Sequence, residues 1–166
     1  MQMGNTLFTL GGLILISIFT LSLNTSIVDN QAVLYQSEEV LEAIALAQRY
    51  IEEAEALRFD EIANATIPTS FTHASNLGAD AGEYYSNYDD LDDFNGFSTT
   101  LTSGTIHYTV NISVGYVLDS NLDLPISTRT YNKKMVVTVT SPVLKVLPTQ
   151  AIVLKRLFAY HYFFSE

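Results

Sequence analysis

The sequence predicts an α+β fold: a long N-terminal helix, apolar over its first half, and a small antiparallel β-sheet head behind it. Three observations carry this. Residues 7–23, LFTLGGLILISIFTLSL, contain no charge. From Asp29 onward, apolar residues recur at spacings of three, four and seven, the period of a helix with one buried stripe. From Phe97 onward, apolar and polar residues alternate, the period of half-buried strands.

The first element, residues 1–28, is a hydrophobic helix. Its apolar run would measure about 25 Å, at the short end of a bilayer span unless Thr6 and Asn24 join it. A modest domain cannot bury such a helix, so it needs a bilayer, other copies of itself, or both in turn. A cleaved signal peptide is the competing reading. Because MQMGNT lacks Lys and Arg and no small-x-small site leads into a loop, the run is expected to be retained. Asp29, Glu38, Glu39 and Glu42 precede the first basic residue, Arg49, which gives weak permission for an outside C-terminal portion.

Residues 29–62 continue the helix as an amphipathic segment. Val33, Leu34, Val40, Leu41, Ile44, Ala47, Ile51, Ala54 and Leu57 form its stripe, against Glu38, Glu39, Glu42, Gln48, Arg49, Glu52 and Glu53. No Gly or Pro falls between Leu13 and Pro68, so one helix of about 80 Å is expected from about Thr6 to about Ile62. NTSIVDN is its weakest point, since Ser, Thr, Asn and Asp compete with the helical backbone.

Residues 63–166 supply a loop and the antiparallel head. Residues 63–96, rich in Asn, Ser, Thr, Asp, Gly and Tyr, read as a long surface loop. Strands are expected over 97–101, 105–117, 128–140 and 151–160. In TIHYTVNISVGYV, Ile106, Tyr108, Val110, Ile112 and Val114 share one face. Ser103-Gly104 suits a hairpin turn, and DSNLDLP suits a connection. The tail LKRLFAYHYFFSE is expected to complete the sheet, with Ile152, Leu154 and Leu157 in the core; docking on a neighbouring subunit is the alternative.

Composition narrows the function. Eight Lys and Arg against eighteen Asp and Glu give a net charge of −10, opposite to what nucleic-acid binding requires. With 48% apolar residues, ten Tyr and nine Phe the chain is not a disordered polymer, and with no Cys it has no thiolate site. There is no GxSxG elbow and no phosphate-binding Gly-rich loop, so an enzyme is not expected. His73, His107 and His161 have no partner at metal-motif spacing and read as chance histidines.

Three segments together resemble the type IV pilin and pseudopilin superfamily. AIALAQRYIEEAEALRFDEI resembles the end of the long helix in prepilin-like proteins. DDLDDFNGFS before TIHYTVNISVGYV resembles their acidic loop feeding a long strand. NKKMVVTVTSP before AIVLKRLFAY resembles their closing strands. The chain departs from the pattern at its start, where no basic residue precedes Gly4 and the fifth residue after it is Thr9 instead of Glu.

The resemblance implies a pilin-like head and a structural, non-enzymatic role. The chain would be held in the inner membrane and then join copies of itself in an extracellular pilus-like filament, with assembly machinery as a further partner. Leu7, Phe8, Leu10, Leu13, Ile14, Leu15, Ile16, Ile18, Phe19 and Leu21 would pack the filament core, with Gly11 and Gly12 allowing close approach. A membrane-anchored accessory module of a secretion or pilus machine is the alternative, and a lone exported domain with a cleaved signal is a third.

Two polar signals stand apart from assembly. Asp89, Asp90, Asp92, Asp93 and Asn95, with Asp80 and Glu83 nearby, could hold calcium through hard oxygen ligands. The spacing is not that of an EF-hand loop, and a solvated acidic loop is the expected state. No other cofactor is expected. Asn64-Ala-Thr is the glycosylation match in the most exposed setting; Asn24 lies near the apolar run and Asn111 in a strand.

Overall fold

Pairing and packing in a computed structural model bear out the α+β layout of one long helix and an antiparallel sheet. The structure describes residues 2–61, 68–145 and 147–160, with side chains described from Phe8. Helix α1 spans Gln2–Glu55. Five strands follow: β1 Ser98–Ser103, β2 Ile106–Leu118, β3 Asn121–Ile126, β4 Asn132–Thr140 and β5 Ala151–Ala159. The chain divides into two units, one ending at Glu39 and one beginning at Val40.

The first unit is helix alone, and NTSIVDN does not break it. Its hydroxyls turn inward: Ser17 Oγ donates to Leu13 O at 2.8 Å, Thr20 Oγ1 to Ile16 O at 2.8 Å and Thr25 Oγ1 to Leu21 O at 3.1 Å. Each satisfies its donor within its own helix, which lowers its cost in apolar surroundings.

In the second unit β2 is the hub. β4 pairs along one edge, from Thr109↔Thr140 to Tyr116↔Lys133, and β5 pairs outside β4. The other edge of β2 takes β1 along its first half, at Ser98↔Asn111 to Ser103↔Ile106, and β3 at its end. Gly104 turns the β1–β2 hairpin at φ 58°, a conformation that favours glycine. β3 occupies the segment expected to be a connection. Its Asn, Asp and Pro residues read as turn formers, but Pro125 is tolerated at a sheet edge and packs beside Gly115.

The predicted core face of β2 is confirmed: Tyr108, Val110, Ile112 and Val114 are buried, and Ile106 is half-buried. Met135, Val137 and Val139 of β4 join them. The helix contributes Ala43, Ala47, Tyr50 and Ala54, a stripe of mostly small side chains. Val33, Leu34 and Leu41, expected on that stripe, are exposed instead, because the buried face is set by the alanines and Tyr50. Polar groups fasten the same segment: Tyr108 Oη donates to Glu42 at 3.1 Å, and Tyr85 bonds Glu53.

The helix stops at Glu55, short of the expected end near residue 62. Ala56 and Leu57 make tight turns onto Glu53 and Ala54, and Arg58 then enters a parallel bridge with Asp90. Tertiary backbone pairing outcompetes helix propensity there. β4 begins at Asn132, later than the expected 128. In β5, Ile152, Leu154 and Phe158 pack on the core while Leu157 is exposed.

Ala47 is fully buried and Leu41 is not, so the two positions should respond oppositely to a change of size. Ala47→Leu is expected to destabilise the full chain in detergent micelles by about 1–3 kcal/mol through overpacking. Leu41→Ala is expected to change it by less than about 0.5 kcal/mol. Urea denaturation followed by tyrosine fluorescence measures both.

Candidate functional site

Two features of this chain go beyond ordinary core packing: the apolar surface of α1, and a buried charge cluster beneath the acidic loop.

On α1, Phe8, Leu10, Leu13, Ile14, Leu15, Ile16, Ile18, Phe19 and Leu21 are all exposed. They point to every side of the helix, so no single contact face is defined by the chain itself. Gly11 and Gly12 have open space where a Cβ would stand. Leu7 lies within the helix, but its side chain is outside the described set, as are Asn64 and His161 altogether.

The charge cluster is built on Lys133, which is completely buried. Period-two alternation along β4 places it on the same face as Met135 and Val137, so its stem enters the core. Its ammonium donates to Asp60 Oδ2 at 2.8 Å, Asp92 Oδ1 at 2.6 Å and Phe59 O at 2.7 Å. The rings of Phe59 and Tyr116 lie 4.6 and 5.4 Å from it. Asp60 also accepts from Thr72 N at 3.1 Å and from Tyr116 Oη at 3.3 Å. Burial, with Asp60 and Asp92 nearby, pushes the Tyr116 hydroxyl pKa well above the usual range.

The acidic loop is therefore not the solvated run that was expected. Asp90, Asp92 and Asp93 are buried, with Lys133 on Asp92 Oδ1 and backbone N–H groups on Asp90 Oδ1 and Asp93 Oδ2. Asp93 Oδ2 accepts from Asp89 N at 3.0 Å and Asp90 N at 3.1 Å, and Asp90 Oδ1 accepts from Asp92 N at 2.7 Å. Asp92 is raised by burial, an effect that Lys133 opposes. Asp90 is pushed up to about 8, by burial first and then by Asp92.

The five candidate calcium ligands are not brought to one point. Asp92 is committed to Lys133. Asn95 is also spent, because its amide donates to Leu77 O at 3.0 Å and its carbonyl accepts from Val114 N at 3.0 Å. Asp89 and Asp90 group with Glu61, and Asp89 and Asp93 group with Glu83. Glu61 was not among the predicted ligands; it lies far from the loop in sequence and reaches it through the Arg58–Asp90 bridge. His73 bonds Ser75, and His107 pairs with Thr102 across the β1–β2 hairpin.

No protein-family profile, curated protein or solved structure shows a significant match to this chain.

Lys133→Met leaves two buried carboxylates facing an apolar side chain, and is expected to cost about 3–5 kcal/mol in urea denaturation. Asp90 gives a pH signature. Its folded-state pKa lies above the unfolded value, so the folded chain holds the extra proton and stability falls as pH rises from about 4 to about 8. In buffer with chelator, melting curves are expected to show this fall for the wild type and a flatter profile for Asp90→Asn.

Proposed function

We propose that this chain is a structural subunit of an extracellular, pilus-like helical filament, anchored in a membrane before assembly. One observation carries the reading: a single helix, Gln2–Glu55, is apolar and exposed over its first unit and docked on a sheet over its second. Each Leu, Ile or Phe left in water forgoes about 1.5–3 kcal/mol. For the run from Phe8 to Leu21 the total rivals the whole stability of a domain, about 5–15 kcal/mol. A solvent other than water is required, and the segment is long and apolar enough to cross a membrane.

Gly11 and Gly12 favour association between copies over a merely lipid-facing anchor. A glycine inside a helix costs about 1 kcal/mol against alanine. Among the described residues nothing uses the space they leave, whereas a neighbouring helix in a filament core could. The resemblance of the helix end, the acidic loop and the closing strands to pilin sequences supports the same reading. In this reading the head is carried on the filament surface, and its acidic charge helps keep stored subunits apart.

The test is electron microscopy of material sheared from the surface of cells expressing the chain, with mass spectrometry of its most abundant small protein. The proposal predicts filaments containing this chain with residues 7–23 retained. Gly12→Leu is expected to reduce filament yield at least tenfold, roughly the effect of losing one close contact of about 1.4 kcal/mol, while the chain stays in the membrane fraction. A chain found only as a detergent-extracted monomer, without filaments, would instead identify a membrane-anchored accessory module.

A further inference from the structure

We propose that Glu61, Asp89 and Asp90 form a divalent-cation site of the calcium class. One carboxylate oxygen from each lies within 4.8 Å of the others. Clustered acids alone would not suffice, since exposed carboxylates often gather without an ion. The distinguishing atom is Asp90 Oδ2. Asp90 is 1% exposed, and among the described residues this oxygen has no hydrogen-bond partner. A buried carboxyl oxygen left unpaired is costly, and a cation bound to the ionised group removes that cost.

The surroundings fit the assignment. Asp90 Oδ1 is held by Asp92 N at 2.7 Å, and its backbone N–H is held by Asp93, so the carboxylate is fixed before any ion arrives. Asp89 gives Oδ2 to Arg58, and one of its carboxylate oxygens lies within reach of Glu61 and Asp90. Glu61 and Asp89 are exposed, which gives an ion a route in and lets water complete its shell. The ligands are all oxygen, with no imidazole or thiolate, which selects a hard cation; calcium tolerates this irregular, partly hydrated shell better than magnesium.

Such an ion would join the segment after α1 to the acidic loop, beside the Arg58–Asp90 bridge that already links them. The inference is independent of the filament reading, because it rests on the head alone.

The experiment is calorimetric titration of CaCl2 into the full chain in detergent micelles, with melting curves in CaCl2, MgCl2 and KCl at matched ionic strength. The expected result is saturable binding of one ion per chain and a melting temperature that CaCl2 raises beyond KCl. Glu61→Gln is expected to weaken binding at least about tenfold and Asp90→Asn to abolish it, while Glu83→Gln binds as the wild type. Absence of saturable heat together with no shift beyond KCl would overturn the site. So would wild-type affinity in Glu61→Gln, a larger loss in Glu83→Gln than in Glu61→Gln, or equal responses to MgCl2 and CaCl2.

Discussion

One unbroken helix has to satisfy two different surroundings, and the rest of the structure follows from that constraint. Its second unit presents Ala43, Ala47, Tyr50 and Ala54 to a sheet, where small side chains allow the helix backbone to come close. Its first unit presents large apolar residues in all directions, and they are exposed among the described residues. In the proposed reading, lipid or other helices replace water around it. Its inward-turned Ser and Thr hydroxyls make that replacement less costly.

The head depends on Lys133 for its own coherence. A single ammonium joins β4 to the segment after α1, through Phe59 O and Asp60, and to the acidic loop, through Asp92. Three stretches far apart in sequence are thereby fixed at one buried point. A charge in this position is costly to bury and more costly to leave alone, so the cluster favours one arrangement of the loop over alternatives. Around it, Phe59, Phe71, Tyr131 and Tyr160 pack in tilted, edge-to-face and stacked pairs, closing the end of the sheet.

Much of this was legible in the sequence wherever a single period governed the residues. The alternation of Tyr108, Val110, Ile112 and Val114 identified the central strand and its buried face, and the charge-free run marked the first half of the long helix. The acidic loop was misread because Asp-rich segments are usually solvated, and nothing local reveals that Lys133 waits beneath it. The phase of β4 held the missing signal: counting by two from Met135 places Lys133, and not Lys134, on the core face. β3 was hidden by its turn-forming composition. The end of the helix was hidden because backbone pairing between Arg58 and the residues around Asp90 is a long-range event.

The central claim is that the two parts of α1 meet different solvents, and the absence of cysteine makes it directly testable. Leu15 is 69% exposed and Leu41 is 65% exposed within the single chain, so any difference between them must come from what surrounds the protein. The measurement is the rate at which a membrane-impermeant maleimide modifies Leu15→Cys and Leu41→Cys in isolated, opened membranes. The account predicts that Leu41→Cys is modified rapidly while Leu15→Cys is protected until detergent is added. Equal rates at the two positions before detergent would contradict it.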